Sequence, residues 1–429
     1  MTIELEQAII VGLHLNDRKQ ADFDYSMAEL ASLAEACHIN VVDALTQKAQ
    51  RINPSHYIGT GKIEELRVLA QAHGVETVIF NDELSPSQIR NLEADLDCKV
   101  IDRTILILDI FAERAQTREA QLQVEVARLH YMLPRLVGLR ASLSRQGGSG
   151  GAGLRNRGTG ETKLELDRRR IEERISMLQQ ELEKLVATRQ VQRLKRKKND
   201  VPVVCLVGYT NTGKSSLMNA LLRHTDPETT KEVFVKDMLF ATLETSVRSI
   251  ELDDNKSFLL TDTVGFVSQL PHHLIKAFRS TLEEVTEADL LIHVVDYSHE
   301  DYNKLIDVTN ETLESIGTSG IDMLYAYNKC DLTDQPYPVL QGNTLYMSVR
   351  ENAGLDELLQ CIKERIFSHY MKCSVLIPYD QGRLVSYFNE HAHVFKTEYE
   401  EAGTRLDMEC SNVDFERYKQ HFVDQQIIS

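Results

Sequence analysis

VPVVCLVGYTNTGKSSLMNALL, residues 201–222, joins an apolar run to a helical pattern through a loop with two glycines, a lysine and a serine at fixed offsets. Gly208 to Ser215 fit G-x-x-x-x-G-K-[ST], a pattern that carries meaning only between a strand and a helix. Both flanks are present. Glycines let backbone N–H groups approach an anion, and the helix start adds the positive end of its dipole. The stretch therefore predicts a parallel α/β sheet with a phosphate-binding loop. Gly208, Tyr209, Thr210, Asn211, Thr212, Gly213, Lys214, Ser215 and Ser216 are the expected phosphate contacts. Lys214 would reach the β and γ phosphates, and Ser215 would give its hydroxyl to Mg2+.

The downstream pattern agrees. SFLLTD, LLIHVVD, MLYAYN and TLYMS alternate with helical stretches, as in a doubly wound sheet. NKCD (328–331) ends one of these runs. The Asp331 carboxylate can accept from both N1–H and the exocyclic amine of guanine, Asn328 meets the opposite edge, and the Lys329 stem lies over the ring. Adenine would leave a buried acceptor unpaired, so the base is guanine and the nucleotide GTP. Ser348, Val349 and Arg350 sit where a backbone N–H could meet guanine O6. DTVGF (262–266) completes the set: Asp262 addresses Mg2+ through water, and the Gly265 N–H senses the γ phosphate. The loop 237–248 should add a threonine to Mg2+ and the γ phosphate, Thr242 rather than Thr245. Lys214, Thr242 and Gly265 are the expected catalytic residues. Phe266 stands where many GTPases place a water-orienting glutamine, which predicts slow intrinsic hydrolysis unless a partner or cation completes the site. Asn211 predicts that the cation is K+.

Towards the N-terminus, AIIVGL (8–13), VETVIF (75–80) and KVIDR (99–103) read as strands. Helical spacing marks 27–39, and SPSQIRNLEADL (85–96) opens on a Ser-Pro helix start. GTGK (59–62) is too short for a second phosphate loop and reads as a glycine-rich helix start. Leu122, Val126, Leu129, Leu133 and Leu136 step by four and three, as do Ile171, Ile175, Leu178, Leu182 and Leu185. Two such seams joined by a loop predict an antiparallel helical hairpin. The segment that carries its tip is basic: Arg135, Arg140, Arg145, Arg155 and Arg157 fall between Pro134 and Gly160 without one Asp or Glu. The run 189–200 is also basic, reading first as a solvated helix end that suits the dipole. After residue 366, SVLIP, RLVSYFNEH and TRLDMEC predict a small α/β module.

The expected map is an α/β multidomain chain. It has an N-terminal α/β domain (1–115), a helical hairpin with a Gly/Arg-rich tip (116–198), a P-loop GTPase domain (199–366) and a small C-terminal α/β domain (367–429). With 42% hydrophobic and 26% charged residues, it has the composition of an ordinary globular protein. The net charge of -17 argues against indiscriminate nucleic-acid binding but leaves room for a local basic surface. Seven cysteines without a C-x-x-C pair argue for reduced thiols in a cytoplasmic protein and against a zinc ribbon. His272 and His273 read as packing or surface residues. No apolar run has membrane-spanning length and no secretory signal is visible.

With these residues in place the chain resembles the HflX family of translation-associated GTPases along nearly its full length. The carriers are YIGTGKIEEL, GTGETKLELDRRRIEERI, GYTNTGKSSLMN, LFATLETSVR, DTVGFVSQLPHHLIKAFRSTLEE and NKCD. It departs at SVR, where relatives more often show Ser-Ala. The resemblance implies a nucleotide-binding-like first domain, a Ras-like G domain, binding to the 50S subunit and its 23S rRNA, and splitting of stalled or idle 70S ribosomes in the GTP state; a monomer is expected. The hairpin loop would reach toward the peptidyl transferase centre. Peripheral membrane association and ATP use by the first domain are also implied. On that basis Arg145, Arg155 and Arg157 are expected rRNA contacts. The alternatives are a ribosome-assembly GTPase and an ATP-dependent rRNA-remodelling protein with a regulatory G domain.

Overall fold

A computed structural model describes residues 6–17, 19–146, 157–198, 201–227, 233, 239–240, 245–252, 254, 256–268, 284–368 and 370–424. Side chains at 136–146, 157–164, 188–198, 420 and 422–424 are outside the description. The chain packs as two compact units. The first holds Met1–Arg189 with two later segments, Lys236–Glu244 and Val267–Ser280; the second holds Gln190–Val235, Thr245–Phe266 and Thr281–Ser429.

In the first unit β1 (Glu6–Leu15) lies inside a parallel sheet of order β2-β1-β3-β4, with β2 (Ile39–Ala49), β3 (Thr77–Phe80) and β4 (Lys99–Asp102). A parallel strand covered on both faces reads as a continuous apolar run, and Ala8 to Leu13 are buried throughout. β2 escapes that reading because it is an edge strand whose side chains mostly remain part-exposed. The crossovers are α1 (Gln20–Ala36), α2 (Thr60–His73) and α3 (Pro86–Leu96). α3 starts with a capping box: Gln88 N donates to Ser85 Oγ at 3.3 Å, and Ser85 N donates to Gln88 Oε1 at 2.9 Å. The expected strand KVIDR stops one residue early. Asp102 accepts from Ile105 N at 3.1 Å and so caps α4 (Arg103–Arg114), which the sequence had not separated from the strand.

Asp102 is also the root of the hairpin. Its second oxygen accepts from Leu84 N at 3.0 Å, Tyr131 Oη at 2.7 Å and Arg135 Nη2 at 3.2 Å. The Arg135 guanidinium lies 3.1 Å from the Tyr131 ring centre. Burial, with the Asp102 charge beside it, pushes the Tyr131 phenol well above its usual range, so it stays a donor. Tyr131 and Arg135 belong to α5 (Arg118–Gln146), which pairs with α6 (Arg157–Lys198). Arg118 bridges Glu181 at 2.8 Å and Arg174 bridges Glu125 at 2.9 Å. Seven residues forward on one helix is seven back on the other, so the pair is antiparallel. Leu122, Val126 and Leu178 are buried between them, with Leu129, Leu182 and Leu185 packed alongside. Elsewhere in this unit Arg103 and Glu29 form a buried ion pair, and Ser268 joins it. The Ser268 hydroxyl donates to Glu29 at 2.5 Å and accepts from Arg103 Nη2 at 3.1 Å. The Phe240 ring meets Phe111 edge-on at 4.7 Å.

The second unit carries a seven-stranded sheet, order β10-β11-β9-β8-β5-β7-β6. Its members are β5 (Val203–Val207), β6 (Ser246–Glu251), β7 (Ser257–Asp262), β8 (Leu290–Asp296), β9 (Asp322–Asn328), β10 (Val339–Gln341) and β11 (Thr344–Tyr346). β5, β7, β8, β9 and β11 run parallel; β6 and β10 are antiparallel edges. Helices α7 (Lys214–Thr225), α8 (Tyr302–Ile316) and α9 (Leu355–Ile366) accompany it. Leu206, Leu217, Leu221, Phe258, Ile292, Leu324 and Leu358 anchor the core.

The C-terminal sheet holds β12 (Met371–Ile377), β13 (His393–Glu400), β14 (Gly403–Cys410) and β15 (Phe422–Asp424), in the order β13-β14-β12-β15. Every neighbouring pair is antiparallel, yet only β13 and β14 form a hairpin; the connections β12 to β13 and β14 to β15 each cross over one intervening strand. Helices α10 (Gly382–His391) and α11 (Asn412–Arg417) complete it. Lys256, in the β6–β7 turn, bridges Glu409 of β14 at 2.8 Å and lies 5.3 Å and 5.0 Å from the Phe367 and Tyr370 ring centres. All seven cysteines are free thiols; Cys373 and Cys410 touch at 3.5 Å.

Candidate nucleotide-binding site

The phosphate loop is shaped by three positive φ angles in six residues: Gly208 (144°), Asn211 (59°) and Gly213 (96°). A side chain at Gly208 would run into the Val294 carbonyl of β8, and a Cβ at Gly213 would stand 2.5 Å from Asn328 Nδ2. Neither position tolerates a larger residue. α7 begins at Lys214, so its first-turn N–H groups have no carbonyl within the helix to bind, the arrangement by which helix starts receive anions.

Lys214 is buried, with Nζ donating to Gly208 O at 3.1 Å and Tyr209 O at 2.6 Å. Burial lowers its pKa from 10.5 to about 8, and the Asp262 carboxylate offsets part of that. The side chain is a cation held by dipoles at the centre of a loop. Ser215 Oγ donates to Asp262 Oδ2 at 2.6 Å. A hydroxyl and a fully buried carboxylate in contact are hard oxygen donors. They fit Mg2+, which keeps few protein ligands and takes the rest from water and phosphate. Among the described residues no group of three or more His, Cys, Asp or Glu could hold a metal by itself.

Gly265 packs on the same loop: a Cβ there would lie 2.7 Å from Thr210 Cγ2 and 3.0 Å from Lys214 Nζ. The next residue has a role that its side chain does not announce. Phe266 is 1% exposed, and its backbone clamps the loop, donating to Gly208 O at 3.1 Å and accepting from Thr210 N at 2.8 Å. The Thr210 N–H is thus engaged within the protein.

On the base side, Asn328 ties three segments together. Its Nδ2 donates to Thr212 O at 2.9 Å, and its Oδ1 accepts from Val349 N at 2.9 Å. The Val349 N–H, a candidate for guanine O6, is therefore used internally. Asp331 accepts from the buried Ser348 hydroxyl at 2.6 Å, while the exposed Arg350 guanidinium stands 3.9 Å away. Lys329 pairs with Asp296 at 2.7 Å. Asp296 ends β8, at the carboxyl edge of the sheet where ligands of open α/β folds gather. That position was its only signal in the sequence.

The structure brings Gly208 to Ser216, Asp262, Gly265, Asn328 to Asp331 and Ser348 to Arg350 into one region. Thr242 and Arg155 lie outside the described residues, as do His272 and His273. Arg145 lies within α5 and Arg157 opens α6, but their side chains are outside the description. The GTGK stretch is a helix start. Gly59 caps α2 and donates its N–H to Gln47 at 2.9 Å, and Lys62 pairs with Glu65 at 2.7 Å. No described helix is long and apolar enough to cross a membrane.

Three family descriptions match in sequence along the chain: GTP-binding GTPase N-terminal over residues 24–112, GTP-binding GTPase Middle Region over 114–196, and 50S ribosome-binding GTPase over 203–329. A GTPase HflX of Caldanaerobacter subterraneus subsp. tengcongensis is 43% identical over 95% of this chain and 91% of its own. The GTPase HflX of Escherichia coli is 38% identical over 96% of this chain and 95% of its own. Among solved structures, a GTP-binding protein from Sulfolobus solfataricus in complex with GDP aligns at 24% identity, covering 85% of this chain and 99% of that one, with a TM-score of 0.43.

Proposed function

The chain belongs to the HflX family of GTPases, and from that premise we propose that it is a GTP-operated switch of the large ribosomal subunit that dissociates stalled or idle 70S particles. It binds and hydrolyses GTP. The ribosomal role is the inference, and one observation carries most of it: a basic, acid-free tip between two antiparallel helices whose root is fixed to buried Asp102. Arginines on such a tip can make planar contacts with phosphates and stack on splayed bases. Arg145, Arg155 and Arg157 are the proposed contacts with 23S rRNA. Domain boundaries are placed after residues 115, 198 and 366.

At the nucleotide, Lys214 and the first-turn N–H groups of α7 hold the phosphates. Asp331 and Asn328 read guanine, with Lys329 against the ring. Ser215 and Thr242 would hold Mg2+, with Asp262 reaching it through water; the ion, when bound, neutralises charge on the β and γ phosphates. The Gly265 N–H reports the γ phosphate, and loss of that phosphate releases the loops on either side of β6 and β7. Splitting then comes from a difference in affinity for the two subunit arrangements, not from the phosphate bond itself. Asn211 is the proposed contact for K+, which takes over the task a Phe266 side chain cannot perform. The protein acts as a monomer in the cytoplasm.

Sedimentation of purified 70S particles with the protein and GTP, or a non-hydrolysable analogue, tests the proposal. Both nucleotides should yield separated subunits. Intact 70S with bound protein would favour the assembly reading. Replacing Arg155 and Arg157 by Ala should weaken 50S binding and flatten its salt dependence while leaving GTP affinity intact. Unchanged 50S affinity in that double variant removes the tip from the interface.

A further inference from the structure

The base-side lysine is held from behind by a residue outside every motif. Asp296 Oδ2 lies 2.7 Å from Lys329 Nζ. Its other oxygen accepts from Ser298 N at 3.1 Å and Ser298 Oγ at 2.6 Å, so a local turn fixes the carboxylate. The adjacent residue holds the backbone of the same dipeptide: Tyr297 N donates to Asn328 O at 2.9 Å. Lys329 itself sits in the left-handed region at φ 65°, a conformation that a lysine keeps when its surroundings impose it. Behind this bracket Tyr297 stacks on Tyr327 at 5.3 Å and 23° and meets Tyr346 edge-on at 5.2 Å. Tyr327 and Tyr346 are cross-strand partners, so the rings stiffen the strand ends that carry the dipeptide.

As a contribution to stability the pair is ordinary. Lys329 is 29% exposed and Asp296 18%, and ion pairs of that kind contribute little. As preorganisation it makes sense. Lysine loses much rotamer freedom when fixed, and a side chain fixed before the ligand arrives does not charge that loss to binding.

We propose that Asp296 is a positioning residue for the purine: it tethers the Lys329 ammonium so that the four-carbon stem stands as a fixed wall of the base slot. This deepens the guanine reading of residues 328–331 and rests on it. Asp331 selects among bases by hydrogen bonds, whereas a wall acts by contact and does not sense the exocyclic amine. Loss of Asp296 should therefore weaken GTP and ITP by the same factor, and their ratio should survive.

Calorimetric titration of the full chain with GTP, ITP and ATP tests this in Asp296→Ala, Asp296→Asn, Lys329→Met and the paired variants. Each Asp296 variant is expected to bind GTP and ITP about tenfold more weakly, with kcat at saturating GTP unchanged. Added to Lys329→Met, which keeps an apolar stem without a charge, the Asp296 change should cost nothing further. Unchanged affinities, or a loss that persists in full beside Lys329→Met, would overturn the tether. Should Asp296→Ala fail to fold, Asp296→Asn decides, because its amide keeps an oxygen for Ser298. ATP that displaces GTP from the wild-type protein as effectively as GTP itself would defeat the guanine reading instead, whereas ATP bound without such competition belongs to another site; the tether is then judged on the loss of purine affinity alone.

Discussion

Asp102 and Lys214 are both buried charges, each at the boundary of a strand or loop and the helix that follows, and they are partnered in opposite ways. Asp102 accepts four hydrogen bonds, one of them from a guanidinium, contributed by residues 84, 105, 131 and 135. Lys214 donates to two backbone carbonyls, and burial pulls its pKa down to about 8. The first charge is satisfied by the fold. The second is partly satisfied, and what it lacks is a strong anion. A charge paired internally serves architecture, whereas one left short of a counter-ion serves a ligand.

The comparison breaks most visibly at Asp102. Asp102→Ala would take the carboxylate from Arg135, which keeps its bonds to the Tyr131 and Leu84 carbonyls, and would remove the acceptor of the Tyr131 hydroxyl and the Leu84 N–H, a loss on the order of 3–5 kcal/mol for a broken buried pair. Urea unfolding should register it, with GTP affinity of the remaining folded protein unchanged; full stability would mean the root does not depend on this carboxylate. Lys214→Ala should do the reverse, lowering GTP affinity about a hundredfold, roughly 2.7 kcal/mol, while the melting temperature of the nucleotide-free protein does not fall. A large drop in that temperature would make Lys214 structural too.

Proton linkage sharpens the contrast. The Lys214 amine titrates at about 8 when folded and near 10.5 when exposed, so between those values the unfolded chain binds more protons. Stability of the nucleotide-free protein should rise with pH across that window, having carried the full penalty of a buried cation below it. GTP requires the ammonium, so its affinity should fall as pH rises above about 8. Lys214→Met should abolish both slopes, and slopes that remain would belong to another group. The smallest effect is expected on the hairpin surface. Arg174→Ala removes an exposed bridge to Glu125 and should leave the unfolding midpoint within error, because such pairs are screened.

How far the sequence could be read follows the same division. The phosphate loop, DTVGF and NKCD are short local patterns, and their glycine and carboxylate chemistry is visible without neighbours. The hairpin seam is legible because heptad spacing repeats. Asp102 looks like any acid at the end of KVIDR until distant residues converge on it, and its local cap on Ile105 N is what ends β4 and starts α4. β2 hides because an edge strand has little need of apolar runs. Phe266 misleads in a different way: its side chain indicates only what is missing, whereas its backbone clamps Gly208 and Thr210. Asp296 showed only its place at a strand end, because its partner lies one strand further on.

The register of α5 and α6 gives the hairpin one more property. Its contacts recur every seven residues on both helices, so equal insertions or deletions of one heptad in each arm preserve every pairing below them. Each such step changes the distance from root to tip by about 10 Å. The hairpin is thus a ruler graduated in heptads, and its length can change without redesigning the root that anchors it or the tip that it carries.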